Sequence, residues 1–339
     1  MRNRLFYILT AFLFAVTGCN SGAKEQASHS DCMDFPEQVS RNWEILTNSE
    51  TIIPKPVGIV CDSNSIDVLG LFSEKWVHKY DISTGAETGD IIIAGQGPKD
   101  CINAVSIRLT DNGRSIDLYD YVARKIKKYG LDGNFNSEQS FPDELKGIWN
   151  AWSLSENRAL LAYPQKKDSE YRRTFVIIEG DSIVGQYDML TQELQANPEM
   201  TLYLQSTYSL APDGKHLAYA TVQGGVLEFF SIDSNSIALT FSKIVFPVEY
   251  EDDGNNRKLK NGYPIGFTSI CATDSLVYAP YSGTKNEKEA TKIGVWKWDG
   301  KPVKRIDTDA MILKLTVNDD KITAVVLKND EIFLASLQL

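Results

Sequence analysis

One short unit recurs six times along this chain: an apolar strand, a tight polar turn and a second apolar strand. It reads VGIVCDSNSIDVLGLF from Val57, VSIRLTDNGRSIDLYDY from Val105 and AWSLSENRALLAYP from Ala151. It returns as TYSLAPDGKHLAYAT from Thr207, TSICATDSLVYAPY from Thr268 and LKLTVNDDKITAVVL from Leu313. The starts lie 48, 46, 56, 61 and 45 residues apart, the spacing of four-stranded propeller blades that carry insertions. Each of the first five units is followed by two more strand-like runs. Phe175–Glu179 pairs with Ser182–Tyr187 across Gly180-Asp181, and Ile293–Trp298 with Pro302–Ile306 across Asp299-Gly300. Such turns tolerate positive φ in tight hairpins, and no long stretch has helical period. The pattern predicts an all-β six-bladed β-propeller with four-stranded antiparallel blades.

The sixth unit is one strand short. After Leu313–Thr316 and Ile322–Leu327 only Ile332–Leu337 remains before the chain ends. Upstream of the first unit, WEILTNSETIIP from Trp43 is an orphan strand-like segment. Pairing Glu44–Ile53 with the last blade as its outer strand closes the ring and removes an exposed sheet edge. The propeller is therefore expected to span residues 43–339.

The chain's first residues carry a targeting pattern. Arg2 and Arg4 precede an uncharged apolar run, Leu5 to Val16, shorter than the roughly 20 residues a membrane-spanning helix needs. A cleaved signal peptide over residues 1–18 fits better. Val16-Thr17-Gly18-Cys19 resembles the lipobox of bacterial lipoproteins. That resemblance implies cleavage before Cys19 and a lipid on its sulfur, an ordinary secretory signal being the alternative. Residues 19–42 are read as a flexible lipidated tether, since Asn20 to Ser30 is small and polar. No acidic run follows Cys19, so the expected address is the outer membrane with the domain facing the periplasm.

The stretch Leu210-Ala211-Pro212-Asp213-Gly214-Lys215 resembles the repeat of TolB-like propellers. Gly95-Gln96-Gly97-Pro98 is similar to the GxGPGEF signature of six-bladed propeller lipoproteins of the Bacteroidetes, although Lys99-Asp100-Cys101 replaces its last residues. The resemblance implies a shape and an address, and it implies no particular reaction.

Strand order turns loop length into location. Connections between strands one and two, and between three and four, open on one side and are nearly all short. The long connections, Gln165–Arg172, Asp188–Thr201, Pro247–Pro264 and Gly283–Thr291, fall on the other side in blades three to five, and Gly95–Asn103 opens there too. Long loops in compact domains are more often functional than short ones. Tyr163, Tyr171, Arg172, Tyr250, Arg257, Tyr263 and Tyr281 lie in or beside them, and Tyr and Arg are enriched at binding hot spots. They are the candidate partner-binding residues, with padding of the loop rims as the alternative.

Composition narrows the chemistry. The chain has 339 residues, 3 His and a net charge of −10, which argues against a basic face that neutralises nucleic-acid phosphates. His29 falls in the tether, leaving His78 and His216, too few for a His-rich zinc site. Asp252 to Asn256 is oxygen-rich but lacks calcium-loop spacing. No GxSxG elbow occurs, and Gly95-Gln96-Gly97 lacks the context of a dinucleotide site. Cys32, Cys61, Cys101 and Cys271 show no CxxC or metal-ligand spacing and are expected as single buried thiols. No catalytic residue, metal or cofactor is assigned.

The sequence reading is a lipid-anchored envelope module that binds a protein, peptide or glycan on its long-loop side. The alternative is an envelope hydrolase or lyase acting on carbohydrate at the mouth of the central channel.

Overall fold

The computed structural model describes residues 32–339 except 49, 72, 168–169, 190–204 and 253–256. Six antiparallel blades form a ring. Blade 1 runs Lys55–Cys61, Ser65–Leu71, Lys75–Asp81 and Glu87–Ile93, and blade 2 runs Ala104–Thr110, Ser115–Asp120, Lys125–Gly130 and Phe135–Ser140. Blade 3 holds Asn150–Ser155, Arg158–Lys167, Glu170–Glu179 and Ser182–Met189. Blade 4 holds Ser206–Leu210, His216–Thr221, Val226–Ile232 and Ile237–Ile244. Blade 5 is Cys271–Ala272, Leu276–Tyr281, Lys292–Lys297 and Pro302–Asp307, and blade 6 is Met311–Asn318, Lys321–Lys328 and Glu331–Gln338.

The core is distributed over the seams between blades. Leu160, Phe175, Leu217 and Phe230 fill the seam of blades 3 and 4, while Leu161, Val176, Tyr119 and Ile148 fill that of blades 2 and 3. Neighbouring residues Leu160 and Leu161 thus face opposite seams, both fully buried. That is why second strands such as ALLAY read as continuous apolar runs rather than alternating ones. Tight hairpins take the positive-φ residues the sequence supplies. Gly300 sits at φ 82°, and a Cβ there would meet the Phe241 ring at 1.8 Å, so this turn requires glycine.

The last blade gains its fourth strand from the N-terminal side. Glu44 pairs with Ser336 and Ile45 with Ala335, and the Leu46 amide donates to the Leu334 carbonyl at 2.8 Å. The ladder stops there: the expected strand over Glu44–Ile53 is confined to Glu44–Ile45, and the chain then turns towards blade 1.

The last part of the expected tether, residues 32–42, is docked on the propeller instead. Glu37–Ser40 forms a fifth, parallel strand on blade 5, Glu37 against Lys304 through Ser40 against Asp307. Cys32 and Phe35 are buried in the seam of blades 4 and 5. Apolar Cys32, Met33 and Phe35 drive this docking. The signal peptide, Cys19 and the polar stretch that follows lie outside the described residues.

Candidate functional site

The innermost strands line a central channel of about 1580 Å³. Asp62, Asp111, Glu156, Asp213 and Asp319, one from every blade but blade 5, rim it on the short-turn side. Several of these carboxylates serve their own turns: Asp62 Oδ1 accepts from the Asn64 and Ser65 amides, and Asp213 Oδ1 from the Lys215 amide. Deeper in, Arg108 reaches from blade 2 across the wall, donating to the Ser153 carbonyl at 2.9 Å and to Ala211 and Pro212 carbonyls at 2.9 and 3.1 Å. Beside it, buried Asp117 accepts from Thr110 Oγ1 at 3.1 Å and from Ser153 Oγ. Burial raises the Asp117 pKa above the usual carboxylate range. Lys314, on the inner strand of blade 6, also lines the channel, and burial lowers its pKa with no opposing charge nearby.

On the long-loop side, the connection between blades 1 and 2 is built as a rigid platform. The Asp100 carboxylate accepts from the Gly97 amide at 2.9 Å, and a Cβ on Gly97 would meet it at 2.6 Å. Three successive carbonyls receive side-chain donors: Lys99 from Tyr129 Oη at 3.2 Å, Asp100 from Lys127 Nζ, and Cys101 from Trp76 Nε1 at 2.7 Å. The glycine-rich stretch is therefore an inter-blade turn. Asp120, fully buried, accepts from the Ile102, Asn103 and Ala123 amides at 2.8, 3.2 and 3.1 Å. It ties this connection to the turn between the second and third strands of blade 2.

Apolar side chains stand exposed on and around that platform. Ile93 is 57% exposed, Ile102 37%, Tyr121 41% and Val122 55%. The Tyr121 amide donates to the Asn103 carbonyl at 2.9 Å, so Ile102 and Tyr121–Val122 sit on adjacent backbone. Sequence reasoning missed this patch. The available signal was the Tyr121-Val122 pair inside a four-residue turn, where polar residues are usual.

The residues chosen from the sequence separate into groups. Tyr163 is buried in the seam of blades 2 and 3, and Tyr281 in the seam of blades 4 and 5; both are core, and burial pushes the Tyr281 phenol up to about 12. They are corrected from binding residues to packing residues. Tyr263 is half-buried in the connection from blade 4 to blade 5. Tyr171 and Arg172 do not lie in an irregular loop: the second and third strands of blade 3 continue into it, with Tyr171 opposite Lys166 and Arg172 opposite Gln165. Tyr250 and Arg257 face Leu259 and Asp252 in a small separate hairpin. Most of Asp188–Thr201, and the core of the oxygen-rich Asp252 to Asn256 stretch, lie outside the described residues.

His216 stacks on Trp298 with centroids 4.8 Å apart. His78 Nδ1 lies 2.7 Å from Asp90 Oδ1, and with Glu87 these groups come within 4.8 Å of one another. A metal-bound imidazole ordinarily donates its other N–H to an acceptor, but His78 Nε2 is buried without one among the described residues. The arrangement is a close His78–Asp90 contact on blade 1. Cys32, Cys61, Cys101 and Cys271 are free thiols, and burial raises Cys61 and Cys271 to about 11, the inert range for a thiol.

A ring of six four-stranded blades around an open channel defines a six-bladed β-propeller. The sequence matches the family described as TolB-like 6-blade propeller-like over residues 34–320. The chain belongs to that family. Among solved structures it is similar to a Bacteroides fragilis protein described as an exported-protein candidate, at 16% identity, covering 89% of this chain and 99% of that one, with a TM-score of 0.54. A member of the DUF4221 family from Bacteroides vulgatus aligns at 10% identity, 88% and 96% coverage and a TM-score of 0.52. At these identities the likeness is one of fold. No curated protein matches the chain.

Proposed function

We propose that this protein is a lipid-anchored envelope module that binds a protein or peptide partner on its long-loop side. The observation that carries the reading is the exposed apolar set Ile93, Ile102, Tyr121 and Val122, held on the Asp120-tied platform. Aromatic and branched side chains on a pre-organised frame lose little entropy on binding. The lipobox-like Val16-Thr17-Gly18-Cys19 supports the anchor, and the family's fold is compatible with binding or scaffold work. Cys19 precedes Cys32 by 13 residues, at most about 45 Å when extended. Cys32 sits against Trp296 at the short-turn end of blade 5, the end opposite the patch. Arg172, Arg257 and Tyr263 remain candidate outer contacts.

Affinity capture from envelope extract tests the assignment. Tyr121→Ala with Val122→Ser should abolish recovery of the specific partner, while Arg172→Ala with Arg257→Ala weakens it. Undiminished recovery with the first pair contradicts the reading. The alternative, an envelope hydrolase or lyase on carbohydrate, draws support from Asp117, a channel carboxyl with a raised pKa. Turnover of an envelope glycan that Asp117→Asn eliminates would favour it.

A further inference from the structure

The geometry points to the central channel as a binding site for a small hydroxylated carboxylate, with the Lys314 ammonium as its counter-ion. This goes beyond the partner surface and does not depend on it. Among the described residues, the other cations of the interior and the channel wall are engaged. Arg108 is held by three carbonyls, Lys79 Nζ contacts both oxygens of Asp67 at 2.7 and 2.9 Å, and Lys127 faces Asp120 at 3.9 Å. Lys314 is half-buried on the channel wall and has no hydrogen bond or ion pair among the described residues. An ammonium on the channel wall with no protein partner is free to pair with an anion that enters the channel.

Charge and wall chemistry narrow the class. One uncompensated cation balances one negative charge. A phosphate dianion would bring a second charge into a channel whose other cations, Arg108 and Lys128, are committed and whose rim carries five carboxylates. The wall also presents the hydroxyl-bearing residues Ser106, Ser206, Ser209, Ser269 and Thr316, which suits a polyhydroxy acid over a plain alkyl carboxylate. The volume of about 1580 Å³ leaves ample room for one.

Calorimetric titration of the mature chain with D-glucuronate, D-glucose and inorganic phosphate tests this. Glucuronate should bind, glucose and phosphate should bind more weakly, and Lys314→Met should weaken glucuronate by roughly tenfold or more while Lys314→Arg retains it. Lys314→Met should not lower the melting temperature, since it removes a partnerless charge. A second readout uses the unaltered protein: glucuronate should protect Lys314 from amine acylation, read by mass spectrometry, and leave exposed Lys260 unprotected. Any of three results would overturn the proposal: no glucuronate binding, equal affinity in Lys314→Met, or tighter binding of phosphate.

Discussion

The indole Nε1 of Trp296 donates to the backbone carbonyl of Cys32 at 2.7 Å, joining residues 264 positions apart in the chain. Trp296 is fully buried, and Phe35 meets its ring edge-on at 5.3 Å. The N-terminal segment is thereby seated in a blade seam before it crosses to close the ring through Glu44 and Ile45. Trp296→Phe would remove this donor from a buried carbonyl and open a void, costing about 2–3 kcal/mol. Deleting residues 32–40 should lower the melting temperature more sharply. An unchanged melting curve would show that this segment adds no net stability.

Glu228 provides a pH test. Its Oε1 accepts from Ser242 Oγ at 2.8 Å, while Oε2 is buried with no hydrogen-bond partner among the described residues. Burial raises its pKa to about 7, against the lowering effects of Ser242 and Arg173. A carboxyl whose folded pKa exceeds its unfolded value favours folding when protonated. Its stabilising contribution is therefore full below the unfolded value of 4.5 and is lost as pH rises through about 7. The range amounts to roughly 3 kcal/mol. Denaturant titrations at pH 5 and 8 should show the difference between wild type and Glu228→Gln moving in the variant's favour at pH 8; a constant difference would contradict the assignment.

Lys79 and Asp67 form a buried pair on blade 1, with Asp67 almost wholly enclosed and also accepting from Ser65 Oγ at 3.2 Å. Lys79→Met would leave that carboxylate uncompensated and should destabilise the fold by about 3–5 kcal/mol. Adding Asp67→Asn should recover much of the loss. A double-mutant cycle in urea measures the coupling directly.

Asp120 joins stability to the proposed surface. Asp120→Ala would remove the acceptor from three amides and leave Lys127 without its carboxylate, a loss of about 3 kcal/mol. Hydrogen exchange should quicken at Ile102, Asn103 and Ala123 before it does in blade 5. Uniform quickening would mean that the platform has no local rigidity of its own.

The repeat made the number of blades, their strand order and the short turns readable, because each unit carries its own turn residues. It did not reveal which apolar residues lie at the rim. Both faces of a blade are buried, so the two-residue period of Ala159 to Tyr163 carries no inside-outside contrast, and Tyr163 could not be told from a surface ring. Gln165–Arg172 read as a loop because polar and charged residues stand where two strands simply continue. Cys32 and Phe35 gave too short an apolar signal after a polar stretch, and only the Trp296 seam explains them.

A partner should meet the long-loop side of the ring and not the short-turn side. Photo-crosslinking in intact cells, with a photoreactive phenylalanine analogue at Tyr121 in one variant and at Ser83 on the short-turn side in another, measures this. The expected result is a discrete, reproducible adduct from position 121 that vanishes when Val122→Ser is added, and none from position 83. An adduct from position 83 alone would contradict the account.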